Sequence, residues 1–119
     1  MNNKTKRLKL FEWFKKNNVD IAMLQETYCK ENFSNIFEKG WNGEIFHSFT
    51  NSNHSRGVTI LLNKSITKRI DFKVINTVAD NEGRRLIINV EINKDIWCFV
   101  NMYCPTNEMS RKMFMLQSV

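Results

Sequence analysis

The sequence predicts a mixed α/β (α+β) layered domain, and three observations carry that reading. Helical periodicity dominates residues 5–17, where apolar positions recur at i, i+3 and i+4 among lysines. From residue 57 onwards short runs rich in Val, Ile and Thr take over, bounded by polar turn formers. Two of these runs, 85–92 and 96–103, are separated only by Asn93-Lys94-Asp95, the spacing of an antiparallel hairpin. Helices early and strands late, in one chain without a linker, imply sheet and helix layers around a shared core.

In the first helix Leu10, Trp13 and Phe14 share a face that Phe11 widens, and the lysines point away. Asn17-Asn18 breaks the pattern. Val19 to Leu24 is a short, mostly apolar run, as expected of a parallel strand covered on both faces. Between Lys30 and Lys39, Phe33, Ile36 and Phe37 recur at helical spacing, and Gly40 supplies a stop. Glu44 to Thr50 and Gly57 to Leu62 read as strands around the polar loop 51–55. Ile70, Phe72 and Val74 alternate with polar neighbours over residues 70–78, the mark of a half-buried strand. Residues 79–83 form a turn before the hairpin. Pro105 ends the last strand, since it has no N–H for a ladder. Met109, Met113, Phe114 and Leu116 begin another amphipathic helix.

A chain of 119 residues with one proline and four glycines has no internal boundary, so residues 1–119 read as a single domain or part of one. The sequence has no apolar window long enough to span a bilayer and no signal-peptide core, so the expectation is a soluble intracellular protein away from membranes. The net charge is +6, and Lys4, Lys6, Arg7, Lys9, Lys15 and Lys16 crowd the first helix, opposed there only by Glu12. A basic balance favours a polyanionic partner such as DNA. Cys29, Cys98 and Cys104 are odd in number, form no CxxC pair and lack zinc-ligand spacing with His47 and His54. Cys98, inside an apolar run, reads as a small buried hydrophobe.

Glu26 is the first candidate for chemistry. It follows the apolar run, and ligands of open α/β sheets gather at the carboxyl ends of strands. Alone it fits a solvated helix-cap or loop carboxylate better than a cation ligand, although Mg²⁺ needs only one or two carboxylates beside waters and phosphates. Tyr103, at the end of the last strand, is placed either to hydrogen-bond a phosphate or to cap the core. Asn101 and Asn107 flank the same strand end with the same two readings. His47 and His54 have no neighbouring Asp in sequence, and His54 sits in a polar loop beside Ser55 and Arg56. Glycine-rich phosphate loops, GxSxG and kinase-type motifs are absent.

Five stretches taken in order resemble the endonuclease/exonuclease/phosphatase superfamily, and more closely the apurinic-endonuclease-like domain of non-LTR (LINE-type) retrotransposons. They are Lys6-Arg7-Leu8-Lys9-Leu10-Phe11-Glu12-Trp13-Phe14, Val19-Asp20-Ile21-Ala22-Met23-Leu24-Gln25-Glu26-Thr27, Arg56-Gly57-Val58-Thr59-Ile60-Leu61, Asp80-Asn81-Glu82-Gly83-Arg84 and Val100-Asn101-Met102-Tyr103-Cys104-Pro105-Thr106. The resemblance implies a partial four-layer α/β sandwich of mixed β-sheets flanked by helices. It implies that Glu26 ligates a catalytic Mg²⁺ or Mn²⁺, that Tyr103 lies at the active-site floor, and that Thr106 and Asn107 begin a loop beside the substrate. It further implies phosphodiester hydrolysis of DNA, in a branch that nicks chromosomal DNA to prime reverse transcription.

The same resemblance leaves the family's Asn-bearing first strand, its Gly-Asp-Phe-Asn-type segment and its Ser-Asp-His-type segment unmatched. The expectation is therefore an N-terminal half of the domain, with weak or no metal binding and little turnover, because a positioned general base alone contributes about 10²–10⁴-fold. Uncovered sheet edges would favour association with other chains. Two other classes stay open: a non-catalytic basic module binding nucleic acid through the first helix, and a protein-interaction module.

Overall fold

A computed structural model describes residues 4–27, 29–30, 38–50 and 56–103. Helix α1 spans Lys4–Lys16. Its inward stripe is Arg7, Phe11 and Phe14 with Leu10 at its flank, and Trp13 is instead 56% exposed. The face is thus rotated from the expected one. The i, i+4, i+7 row from residue 7 packs inward, and Phe11 and Phe14 both meet Trp41, at centroid distances of 5.7 and 6.2 Å. Asn18 ends α1 in the left-handed region (φ 54°). Its amide reaches Lys15 O (3.3 Å) and the Val19 amide reaches Phe14 O (2.9 Å), the paired bonds of a Schellman cap.

Three strands make the first sheet: β1 (Ile21–Gln25), β2 (Gly43–Ser48) and β3 (Val58–Asn63), in the order β1-β3-β2. Both pairings are antiparallel, which corrects the parallel reading of the Val19–Leu24 run. Apolarity reports burial, whereas strand direction is set by a partner nearly forty residues away, as in Ala22↔Leu61. Among the described strands β3 is central, and β1 lies at an edge with Met23 exposed. Successive β3 residues therefore bury on both faces. Leu61 packs towards α1, and Val58, Ile60 and Leu62 face the second sheet.

The second sheet is a meander of β4 (Phe72–Ala79), β5 (Arg85–Ile92) and β6 (Asp95–Met102), again antiparallel throughout. The expected hairpin is β5–β6, turned by Asn93 and Lys94 at φ 51° and 68°, the two left-handed positions of a type I′ turn. Leu86, Ile88 and Val90 of β5 are fully buried against Val58, Ile60 and Leu62, forming the inter-sheet core with Phe72, Val74 and Phe99. Between β3 and β4 lies a short helix, α2 (Lys64–Thr67), that periodicity did not reveal; Asn63 caps it by accepting from the Ser65 amide.

Two further expectations change. Ile70 belongs to the turn before β4 and is fully exposed, because the strand starts only at Phe72. Cys98 is exposed, not buried. With Ile96 and Val100 it lies on the side of β6 that faces away from β3. The result is two antiparallel sheets packed face to face with α1 on one outer side, consistent with part of an α/β sandwich. Among the described residues no helix is long and apolar enough to cross a membrane.

Candidate active-site rim

The two sheets are stitched together at the end where β1, β2, β4 and β6 finish and β3 and β5 begin. Asn101 of β6 is 4% exposed, and its amide donates to Leu24 O and to Thr59 O, both at 3.0 Å. Gln25 Nε2 donates to Met102 O at 2.7 Å. The next residues along the two strands are Glu26 and Tyr103, so each leaves its sheet beside this bond. Ser48 Oγ adds a third tie, to Asp80 O.

Backbone strain gathers at the same rim. Glu26, Arg56, Gly57 and Gly83 have φ of 51°, 71°, 90° and 72°, from three separate loops. For Glu26 and Arg56 this conformation is uncommon, and such residues cost on the order of 1–3 kcal/mol and persist only where their surroundings enforce them. Here a relay of main-chain bonds enforces it: Thr27 N to Gly57 O (3.0 Å), and Gly57 N to Gly83 O (2.8 Å). A Cβ on Gly83 would stand 2.6 Å from that Gly57 nitrogen, so only glycine permits the approach. Glu26 itself is exposed, while Thr27 is fully buried directly behind it.

Charged side chains line the neighbouring turn. Arg84 Nε lies 2.8 Å from Asp80 Oδ2, and its NH2 lies 3.2 Å from Glu82 Oε2, which Arg56 also approaches at 3.7 Å. Burial alone would raise the Asp80 carboxyl. The Glu82 amide and the Arg84 and Arg85 guanidiniums outweigh it and hold that carboxyl below its usual value. The Tyr103 amide donates to Arg84 O (2.7 Å), which ties the tyrosine to this turn, and its half-buried ring packs on the inter-sheet core.

His47 is a core residue. Its side chain is 3% exposed, its ring stacks on Phe49 at 5.0 Å, and burial pushes its pKa down to about 4. Nδ1 lies 2.9 Å from Thr59 Oγ1, which in turn lies 3.5 Å from Thr27 Oγ1. The ring therefore stays neutral at pH 7 and buttresses the threonines behind Glu26. The Cys29 thiol is likewise buried and pushed up to about 11, chiefly by burial and then by Glu38.

No family model matches the sequence. The fold does match solved structures. It superposes with a TM-score of 0.65 on a humanized D. rerio TDP2 carrying 14 mutations, at 16% identity over 99% of this chain and 49% of that one. A truncated Caenorhabditis elegans TDP2 gives 0.65 at 18% identity, over 96% of this chain and 45% of its own. D. rerio TDP2 complexed with a single-strand DNA product gives 0.64 at 16%, over 98% and 46%. The fold is shared with these TDP2 structures.

The chain spans about half the length of these structures. Within this fold, Glu26 and Tyr103 stand at one rim, whereas Thr106, Asn107, His54 and Cys104 lie outside the described residues. Asn101, read from sequence as a polar flank with an open role, is a buried inter-sheet staple. The parts that sequence reasoning missed are the Gly57–Gly83 contact and the Arg84 ion-pair cluster. Their signal was present in Arg56-Gly57 and Glu82-Gly83-Arg84, two glycines beside charged residues at strand starts, but the pairing of the two loops is a long-range fact.

Proposed function

We propose that this chain forms one wall of a divalent-metal-dependent phosphodiesterase site of the DNA endonuclease type, of the kind encoded by LINE-type retrotransposons, and has little turnover by itself. The observation that carries this reading is the Gln25–Met102 hydrogen bond, beside which Glu26 and Tyr103 emerge from two different sheets. In support of it, the strained rim resembles the over-determined backbone found at functional sites. The solved D. rerio neighbour in complex with single-strand DNA product makes a nucleic-acid strand the natural substrate class.

Among the described residues no group of three or more His, Cys, Asp or Glu side chains is arranged to hold a metal. The donor set nevertheless fits a hard cation in part. Glu26 is an exposed carboxylate at a rigid rim, and Mg²⁺ is commonly held by one or two carboxylates with waters and substrate phosphate. Glu26 would hold Mg²⁺ or Mn²⁺, which when bound supplies charge stabilisation at a phosphoryl oxygen. Tyr103, anchored through its amide to Arg84, would orient the scissile phosphate, and Thr106 and Asn107 would contact the strand beside it. His47, neutral and buried, serves as a brace and not as the base.

The test is Mn²⁺ binding by electron paramagnetic resonance together with nicking of supercoiled plasmid. Glu26→Gln is expected to abolish the Mn²⁺ signal change seen with wild type and a DNA oligonucleotide, and neither protein is expected to nick. An identical Mn²⁺ titration for both proteins would overturn the metal-site reading. Nicking lost in Glu26→Gln would overturn the low-turnover part alone.

A further inference from the structure

A second site lies at the opposite end of the first sheet. Between the last turn of α1, the segment before β2 and the β3–α2 junction is an open cleft of about 140 Å³. Phe11 and Trp41 line it with aromatic rings, Lys15 and Lys64 add two cations, and Gly40, Asn42 and Asn63 complete the lining. Asn63 stands at the far end of β3 from Val58, five residues away and hence roughly 16 Å from the Glu26 rim.

The polar groups of the cleft sort into those already used and those still available. Trp41 Nε1 donates to Leu62 O (3.2 Å). Asn63 spends both ends of its amide, accepting from Ser65 N and donating to Val19 O. The Lys64 amide donates to Asn42 O (3.0 Å), which locks the two loops side by side. The Lys15 and Lys64 ammoniums, by contrast, have no ion-pair partner among the described residues, and no lining residue is acidic. What the cleft offers a ligand is therefore two cations and aromatic surface, the complement of an anion joined to a flat ring.

Size narrows the class. Pockets that engulf whole small molecules run from roughly 300 to 1,000 Å³. At 140 Å³ this cleft holds one group of a longer ligand that continues across the surface. We propose that it is a subsite for a backbone phosphate of single-stranded nucleic acid, with the attached unpaired base against Trp41. An unpaired base is required because stacking on an aromatic side chain needs a face that a duplex hides. The inference rests on the nucleic-acid reading above only for the source of the phosphate, and it needs neither Glu26 nor a metal.

The experiment follows the indole N–H resonances of Trp13, Trp41 and Trp97 in the whole chain during titration with a twelve-residue oligothymidylate. Trp41 is expected to shift saturably and Trp97 to stay. One neutralised phosphate of a single strand gives a salt slope of about −0.7, so quadrupling the salt should weaken binding about 2.6-fold. Lys15→Glu and Lys64→Glu, both at exposed positions, should each weaken the Trp41 shift while the remaining spectrum stays folded, and Glu26→Gln should leave it unchanged. An unmoved Trp41, a shift of equal affinity in the Lys15→Glu, Lys64→Glu double variant, or inorganic phosphate as effective as the oligonucleotide would overturn the proposal. Loss of metal binding in Glu26→Gln with an unchanged Trp41 titration keeps the two readings distinguishable.

Discussion

Gly83 and Gly57 meet main chain to main chain: the Gly57 amide donates to the Gly83 carbonyl at 2.8 Å, and a Cβ on Gly83 would approach that same nitrogen to 2.6 Å. Gly83 also has φ 72°. Gly83→Ala therefore meets both a left-handed backbone penalty of about 1–2 kcal/mol and a clash with backbone that cannot rotate away. A loss of at least ~2 kcal/mol is expected in urea unfolding, with the bond from Thr27 to Gly57 less protected from hydrogen exchange. A wild-type unfolding midpoint would show that the two loops separate without cost.

Asn101→Ala removes the amide that reaches Leu24 O and Thr59 O. Buried acceptors that lose a partner cost about 1–3 kcal/mol, so a destabilisation in that range is expected. Gln25→Ala removes a single bond from an exposed side chain and should cost less than about 1 kcal/mol. Equal effects in the two variants would mean that the buried bridge is no more important than the exposed one.

The His47 ring titrates at about 4 in the fold against an ordinary 6.5, so folding favours its neutral form. Its contribution is complete above pH 6.5 and is lost as the pH falls from there towards 4, and it is on the order of 3 kcal/mol. Urea midpoints of wild type should fall between pH 7 and pH 4.5, and those of His47→Phe should fall less. Parallel pH profiles for the two proteins would show that the ring is not buried in neutral form.

Cys98 is exposed and Cys29 is buried with its thiol raised to about 11. Since the thiolate is the reactive species, Cys98 should alkylate with iodoacetamide within minutes at pH 8, and Cys29 only on unfolding. Peptide mass mapping after a timed quench separates them. Modification of Cys29 in folded protein at the rate of Cys98 would contradict the packing of α1 over it.

Phe11 and Trp13 make the same point about the helix. Phe11→Ala should cost about 3–5 kcal/mol, as a buried aromatic does, and Trp13→Ala less than about 1 kcal/mol. Thermal unfolding of the two variants checks it. Similar losses would mean that the inward stripe had been misplaced.

Much of the layout was readable from residues alone. The alternation of Leu86, Ile88 and Val90 marks one buried face of β5, and the β5–β6 hairpin follows from the short polar link between two apolar runs, although Asp95, read as part of that link, opens β6 and leaves a two-residue turn. Trp13 and Cys98 show where such reading ends. Both are apolar in character and sit in apolar runs, yet both face outward, because burial depends on which neighbour covers a face and periodicity names only the faces. The same limit explains the strand direction of β1, whose partner lies beyond a long intervening segment.

What the sequence by itself determined was the inventory: an amphipathic first helix, an acid after an apolar run, a tyrosine at a strand end, and a basic balance, each a local property of side-chain order. Tertiary structure alone decided that Glu26 and Tyr103 leave the sheets beside one hydrogen bond, that His47 braces the interior, and that Lys15 and Lys64 line one cleft. These are contacts between residues up to seventy-seven positions apart. They arise from packing two sheets face to face, which no pattern confined to a single strand encodes.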